Sequence, residues 1–293
     1  MWKTVLVGEF GRGEWNVGEF RPTAYFSSQL RHELNERNRR WAKEAGVAHE
    51  FSYGGSPCVV YAPDEASHGN FLPETYAAIL ATPNWARRLE KVHTLARTSL
   101  PRVERRWREL DSCNSSDALL MNVFCHPGTF ADGAVSRLLG IEAEARPVFG
   151  HRARVPLKSG HNDRTEIDMV LGDLLVEAKL TESDFQQVSA VRVEAYRDLE
   201  EVFDVAELPR AGEKFASYQL IRNVLAAFAS GGAFCVLCDA RRPDLIESWY
   251  GVMRAVRLYE LKVRLKLLTW QEIAVVLPVD LRGFLGDKYG IFG

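Results

Sequence analysis

The chain has 293 residues, 46% hydrophobic and 26% charged, with 37 Lys and Arg against 39 Asp and Glu. Those proportions exclude a disordered, collagenous or coiled-coil chain, and a net charge of -2 excludes a uniformly basic nucleic-acid binder. The length carries an expectation of two domains, or of one large domain with an elaborated end.

No stretch approaches the roughly 18–20 apolar residues that a membrane span needs. The apolar run after Met1-Trp2-Lys3 stops at Gly8-Glu9, too short for a signal-peptide core, so a cytoplasmic location without a membrane partner is expected. The five cysteines (Cys58, Cys113, Cys125, Cys235, Cys238) are an odd number in a long chain, which argues against a disulfide framework.

The first third reads as helix. Ser28 caps a segment in which Leu30, Leu34, Trp41 and Ala45 recur at helical spacing up to Gly46. Thr82-Pro83 opens another, with Trp85, Leu89, Val92 and Leu95 on one face and Arg87, Arg88 and Lys91 off it. Pro101 interrupts the pattern, and Val103, Trp107 and Leu110 resume it. The polar run from Asp111 to Asp117 reads as a linker, dividing a mainly helical region, 1–115, from a second domain, 116–293.

Beyond it the texture is α/β. A helix near Phe130–Leu139 precedes a strand over Ala145–Val155 and a loop from Pro156 to Thr165. Short strands follow at Ile167–Leu171 and Leu174–Leu180, then a long acidic helix over Ser183–Phe203. An amphipathic helix, Phe215–Ser230, stops at Gly231-Gly232. Strands at Ala233–Cys238 and Val263–Leu268 come next, and Thr269-Trp270-Gln271-Glu272 matches a capping box for the last helix. This order predicts a mixed sheet flanked by helices.

Charge is uneven along the chain. Between Trp85 and Arg108 stand eight basic residues, among them Arg87, Arg88, Lys91, Arg105 and Arg106, against Glu90 and Glu104. Those five are the candidate phosphate contacts of the N-terminal region. Residues 192–207 carry six acids against Arg192 and Arg197.

The chemistry gathers around Gly172-Asp173, a two-residue loop that favours a tight primed turn. With Leu171 opposite Leu174, Asp168 faces Glu177 and Glu166 faces Lys179, all four on one side of the hairpin. Ile167, Met169, Leu171, Leu174, Val176 and Ala178 then form the apolar side. Opposed carboxylates with Cβ atoms about 4.5–5.5 Å apart repel unless a cation sits between them. Oxygen-ligated Mg²⁺ or Mn²⁺ suits that place, with the Ala178 carbonyl as a further ligand and Lys179 beside it to orient the attacking water and offset developing charge. Glu166 is an accessory candidate, as a Lys179 partner or a ligand. Gln219 supplies an uncharged amide from a helix whose polar stripe is Gln219, Arg222 and Asn223. Glu182 and Asp184, just past Lys179, read as helix caps.

These residues resemble the PD-(D/E)XK nuclease superfamily. Asp168 matches its first acid, Glu177-Ala178-Lys179 its D/E-x-K and Gln219 its downstream glutamine, while Ile167 stands where proline is common. Its frequent first-helix acid has no clear match, since Glu142 and Glu144 come late. The runs Glu177–Glu182, Ser115–Phe124 and Leu268–Glu272, with Lys288-Tyr289-Gly290, are similar to bacterial restriction endonucleases of that superfamily. The resemblance spans roughly 115–293. It implies a restriction-endonuclease-like core with a central mixed sheet, and Mg²⁺-dependent hydrolysis of phosphodiester bonds by Asp168, Glu177, Lys179 and Gln219. It further implies nucleic acid as partner, DNA before RNA, a homodimer as a candidate assembly, and a role in restriction or anti-phage defence. The rival readings are a non-catalytic nucleic-acid-binding or assembly subunit with the same fold, and a protein–protein adaptor built on the Trp-rich N-terminal third.

Other motifs carry less. Cys235 and Cys238 lie three apart in a strand and face opposite sides, so they read as core. Cys125-His126 needs distant partners for zinc, and Gly8–Gly13 lacks the Lys-Ser/Thr of a phosphate loop. His161 and Asn162, in the loop before Asp168, could approach a substrate.

Overall fold

The structure, a computed structural model, describes residues 23–52, 57–64, 66–92, 107–142 and 144–293. Its centre is a five-stranded mixed sheet. In chain order the strands are β1 (Pro147–Arg152), β2 (Glu166–Leu171), β3 (Leu174–Ala178), β4 (Ala233–Cys238) and β5 (Leu265–Thr269). They lie side by side as β5-β4-β3-β2-β1. β3, β4 and β5 run parallel, whereas β1, β2 and β3 form an antiparallel meander. The continuous apolar run Ala233–Cys238 suits an inner parallel strand covered on both faces, and five of its six residues are buried.

Gly172 takes φ +60° while Asp173 stays at negative φ, which is the pattern of a II′ hairpin turn. This turn sets the register: Leu171 pairs Leu174, Val170 pairs Leu175 and Met169 pairs Val176.

Among the helices are α1 (Thr23–Glu44), α2 (Pro73–Ala81), α3 (Pro83–Leu89), α4 (Ser116–Phe124), α5 (Ala134–Leu139), α6 (Tyr218–Ser230), α7 (Pro243–Ala255), α8 (Trp270–Ala274) and α9 (Val279–Tyr289). One face of the sheet packs against α6 and α7, through Leu175, Phe234 and Val236 with Leu220, Ile221, Val224 and Trp249. The other packs against α1, α4, α5, α8 and α9, through Met169, Leu171, Val176, Cys235 and Leu237. Cys235 and Cys238 fall into opposite clusters, as strand alternation requires. Ile167 departs from the expected alternation and joins the α6 cluster.

The helical N-terminal region is stitched to the rest. The Ser27 hydroxyl donates to the Thr181 carbonyl at 2.7 Å, and Asn38 donates to the Lys288 carbonyl at 3.0 Å. Asp111, in the segment expected to link two domains, is buried and meets His68 at 3.1 Å. Ser115 caps α4 by accepting from the Ala118 amide. The capping box at Thr269 and Glu272 is present, and it opens the five-residue α8 before α9 completes the chain's end.

Two expectations need correction. α1 begins at Thr23, five residues before Ser28, so Ser28 lies inside the helix. The long helix over 183–203 does not form. Val188 and Ser189 pair instead with Phe215 and Lys214, Tyr196 bridges Leu157, and only Ala190–Glu194 and Leu199–Val202 are helical. Tertiary pairing overrides local pattern there, and the β-branched Val188, Val191 and Val193 resist it little.

Candidate active site

β3 is buried along its whole length, so Glu177 places a carboxylate where water cannot solvate it. Such a group must be neutralised or hydrogen-bonded. Glu177 Oε1 accepts from Lys179 Nζ at 2.8 Å and from Gln219 Nε2 at 2.7 Å, and Oε2 accepts from Asn223 Nδ2 at 2.9 Å. Lys179 reaches it because residues two apart on a strand share a face, and Gln219 and Asn223 because residues four apart share a helix face. Burial alone would lower the Lys179 pKa. Glu177, Glu182 and Asp168 outweigh that and hold it above the ordinary lysine value.

Asp168 lies across the hairpin from Glu177, where the β2–β3 ladder stops. The last paired rung is Met169–Val176, and the Ala178 amide donates to Asp168 Oδ2 at 2.9 Å. Lys179's amide bonds β4 through the Leu237 carbonyl, so the Ala178 amide and carbonyl both point toward β2. The Ala178 oxygen therefore faces the Asp168 side. Asp168 is half-buried, and among the described residues its other oxygen takes no hydrogen bond. Burial, Glu177 and Asp117 push its pKa well above the usual carboxylate range, opposed by Lys179 and the Ala178 amide.

A second group of charges closes the site. Asp117, in the first turn of α4, is buried and accepts from Arg88 at 3.0 Å and Lys91 at 2.5 Å. Arg88 also holds Glu166 at 2.6 Å, and Lys91 holds Glu109 at 3.1 Å. Burial would lower Lys91, but Asp117 and Glu109 outweigh it and raise the pKa. Arg88 is raised in the same way by Asp117 and Glu166. The edge strand makes room for Arg88 at Gly150, across from Asp168. Gly150 has φ +67°, and a Cβ there would come within 2.8 Å of Arg88 Nη1.

The chain beyond Lys179 is clamped by buried donors. Trp270 Nε1 donates to the Lys179 carbonyl at 3.0 Å, and Arg242 donates to the Leu180 carbonyl at 3.0 Å while paired with Asp244.

Asp168, Glu177, Ala178, Lys179 and Gln219 thus come together as the sequence suggests. Glu166 lies on the same strand but pairs with Arg88 and Lys91 rather than Lys179. Glu182 caps no helix. It accepts from the Leu180 amide and from Ser116, while Asp184 accepts from the Gln186 amide in a tight turn. Arg87 is exposed and donates to Asn84. Arg105 and Arg106 lie outside the described residues.

Two participants were missed. Asn223 could have been found from its i+4 spacing to Gln219. Asp117 was legible as one of the polar residues opening the Ser115–Phe124 run, although its partners lie 26 to 51 positions away.

A five-stranded mixed sheet flanked by helices, with Asp168 and Glu177-x-Lys179 where two of its strands adjoin, is a restriction-endonuclease-like fold. Residues 30–290 match the family described as "Restriction Endonuclease associating with ARP", and the chain belongs to that family. The match starts inside α1, so it takes in the helical region as well as the sheet. No curated relative and no solved structure matches the chain. Among the described residues no helix is long and apolar enough to cross a membrane.

Proposed function

We propose that the protein is a metal-dependent endonuclease that hydrolyses phosphodiester bonds in DNA, with Mg²⁺, or Mn²⁺ in its place, at Asp168 and Glu177. One observation supports this most strongly. Among the described residues one oxygen of Asp168 takes no hydrogen bond, and the buried Glu177 carboxylate lies across the hairpin from it. A carboxylate so placed is costly to ionise unless a cation joins it.

The donor set fits a hard cation. Among the described residues no group of three or more His, Cys, Asp or Glu side chains is placed to hold a metal ion. Mg²⁺ commonly uses one or two carboxylates and keeps waters and substrate oxygens. Asp168, the Ala178 carbonyl and Glu177 supply that much. Glu177 accepts three hydrogen bonds, and a carboxylate has about four lone-pair sites, so one remains. A bound divalent ion polarises a phosphoryl oxygen and lowers the pKa of water.

The chain's own residues do the rest. Lys179, kept protonated by Glu177, presents positive charge to the phosphoryl group as its negative charge grows. Gln219 and Asn223 fix the Glu177 rotamer, which in turn fixes the Lys179 head. Asp117 adds negative charge near Asp168, and Arg88, which holds Asp117, offsets part of it. Arg87 remains a phosphate-contact candidate, whereas Arg88 and Lys91 reach DNA only by yielding Asp117 or Glu166.

A role in restriction or anti-phage defence, with the ARP association named for the family, is part of the same proposal, as are cytoplasmic location and assembly as a homodimer. The second reading, a nucleic-acid-binding subunit without catalysis, is favoured by one feature, the near saturation of Glu177 by protein donors. The test is incubation of purified protein with plasmid DNA in Mg²⁺, Mn²⁺ and EDTA. Cleavage in metal that EDTA and Lys179→Ala each abolish supports the nuclease; metal-independent or absent cleavage with retained DNA binding supports the subunit.

A further inference from the structure

Between β1 and β2 the chain makes a small hairpin, in which Val155-Pro156 pair with Asn162-Asp163. It leads directly into the strand that carries Asp168. From Arg152 to Arg164 the exposed cations are Arg152, Arg154, Lys158 and Arg164, and the one acid in the interval is Asp163.

Asp163 is turned inward. Its Oδ2 accepts from Tyr196 at 2.5 Å and Tyr218 at 3.2 Å, and its Oδ1 accepts from the Thr165 amide at 2.7 Å. The outward side of the hairpin is therefore left with cations. Arg152 is the cross-strand partner of Glu166, yet Glu166 bonds Arg88 instead. Among the described residues the side chains of Arg152, Arg154 and Arg164 make no ion pair or hydrogen bond. Lys158 is spoken for by a loose pair with Glu200 at 3.8 Å.

The hairpin is also rigidly mounted. The Lys158 amide donates to the Ala195 carbonyl at 2.9 Å, and the Arg197 amide donates to the Pro156 carbonyl at 3.0 Å. Tyr196, which holds Asp163, is buried, as is Tyr218, the residue before Gln219. One network thus ties the hairpin to the helix that orients Glu177.

We infer that Arg152, Arg154 and Arg164 form the surface that grips the DNA phosphate backbone and carries the scissile bond to Asp168. This rests on the nuclease reading above and takes over from Arg88 and Lys91 as the anionic-ligand surface. Three guanidiniums without carboxylate partners, on a fixed mount beside the site, suit a polyanion that must be registered against a metal centre. Arg88 and Lys91 are spent on internal carboxylates and lack that freedom.

The experiment measures binding of a fluorescent 20-base-pair DNA duplex by anisotropy across a salt series. The protein carries Asp168→Asn to prevent cleavage, with and without R152E/R154E/R164E. A charge-neutral R152Q/R154Q/R164Q version guards against repulsion, and thermal unfolding midpoints check the fold. Each lost phosphate contact removes about 0.9 from the slope of log affinity against log salt. The inference expects both triple variants to lose at least about tenfold in affinity and about 2–3 in slope at an unchanged midpoint. Unchanged affinity and slope, with the parent binding normally, overturns this surface and leaves the nuclease reading standing. A parent that binds no DNA at any salt overturns both.

Discussion

Asn223 donates to Glu177 Oε2 at 2.9 Å from one helical turn beyond Gln219, which donates to Oε1 at 2.7 Å. The two amides clamp both oxygens of a carboxylate that is 1% exposed. Removing one leaves a buried charged acceptor short of a partner, at a cost of about 1–3 kcal/mol or more. Asn223→Ala should lower stability by that order in urea denaturation. It should also reduce cleavage more than Gln219→Ala, because Asn223 is fully buried and Gln219 is only partly so. Wild-type stability in Asn223→Ala would remove the clamp from the account.

Gly150 and Arg88 make the next prediction. A side chain at position 150 meets both a left-handed backbone, φ +67°, and the Arg88 guanidinium 2.8 Å away. Gly150→Ala therefore pushes Arg88 Nη1 off Glu166 and strains the edge strand. We expect a loss of about 1–3 kcal/mol in stability, within the range for strained backbone positions, and a clear fall in cleavage. The variant Arg88→Ala/Gly150→Ala should recover part of the steric cost relative to the sum of the single changes. Strict additivity would contradict the steric reading.

Asp168 sets a pH dependence. Its folded pKa is raised by burial, Glu177 and Asp117, so the folded state holds a proton that the unfolded chain releases. Stability from this group is present at acid pH and declines as pH rises from the unfolded value of 3.8 through the folded one. Asp168→Asn keeps an acceptor for the Ala178 amide and removes the decline. Denaturation from pH 4 to pH 8 should show Asp168→Asn gaining on the wild type toward pH 8, with Mn²⁺ narrowing the gap. A gap that widens toward acid pH contradicts the assignment.

Lys288 is fully buried. Its Nζ donates to the Gly69 carbonyl at 2.6 Å and stands 3.9 Å from the Tyr61 ring centroid and 4.3 Å from that of Trp41. Burial drives its pKa well below 10.5, opposed by Cys113. The unfolded chain then binds more protons, so stability rises with pH up to the unfolded value. Lys288→Met should flatten that rise between pH 7 and pH 10 in denaturation curves; an unaltered slope would show that Lys288 keeps its charge inside the ring cage.

What could be read in the sequence follows from how local its causes are. The β2–β3 hairpin was legible because Gly172-Asp173 and the alternation beside it fix register within eight residues, and Ala233–Cys238 because an unbroken apolar run has few other homes. Asp168, Glu177, Lys179 and Gln219 followed from that register and from the family resemblance. The 183–203 segment was misread because its conformation depends on Lys214-Phe215, about 25 residues onward. Arg88 and Lys91 resembled a free basic stripe because Asp117 and Glu166, which neutralise them, lie 26 to 78 positions away. The open cations at Arg152, Arg154 and Arg164 were hidden for the converse reason: Asp163 and Glu166, adjacent in sequence, turn to Tyr196 and Arg88 in space.

Paired calorimetry and cleavage on the wild type and Asp168→Asn test whether Asp168 and Glu177 hold a catalytic cation. Mn²⁺ is titrated into each protein, and DNA cleavage is followed at the same metal concentrations. The wild type should bind Mn²⁺, and cleavage should rise over the same concentrations. Asp168→Asn should remain folded and lose both. Unchanged Mn²⁺ binding in Asp168→Asn, or full cleavage without the metal site, would contradict the claim that Asp168 and Glu177 hold the catalytic cation.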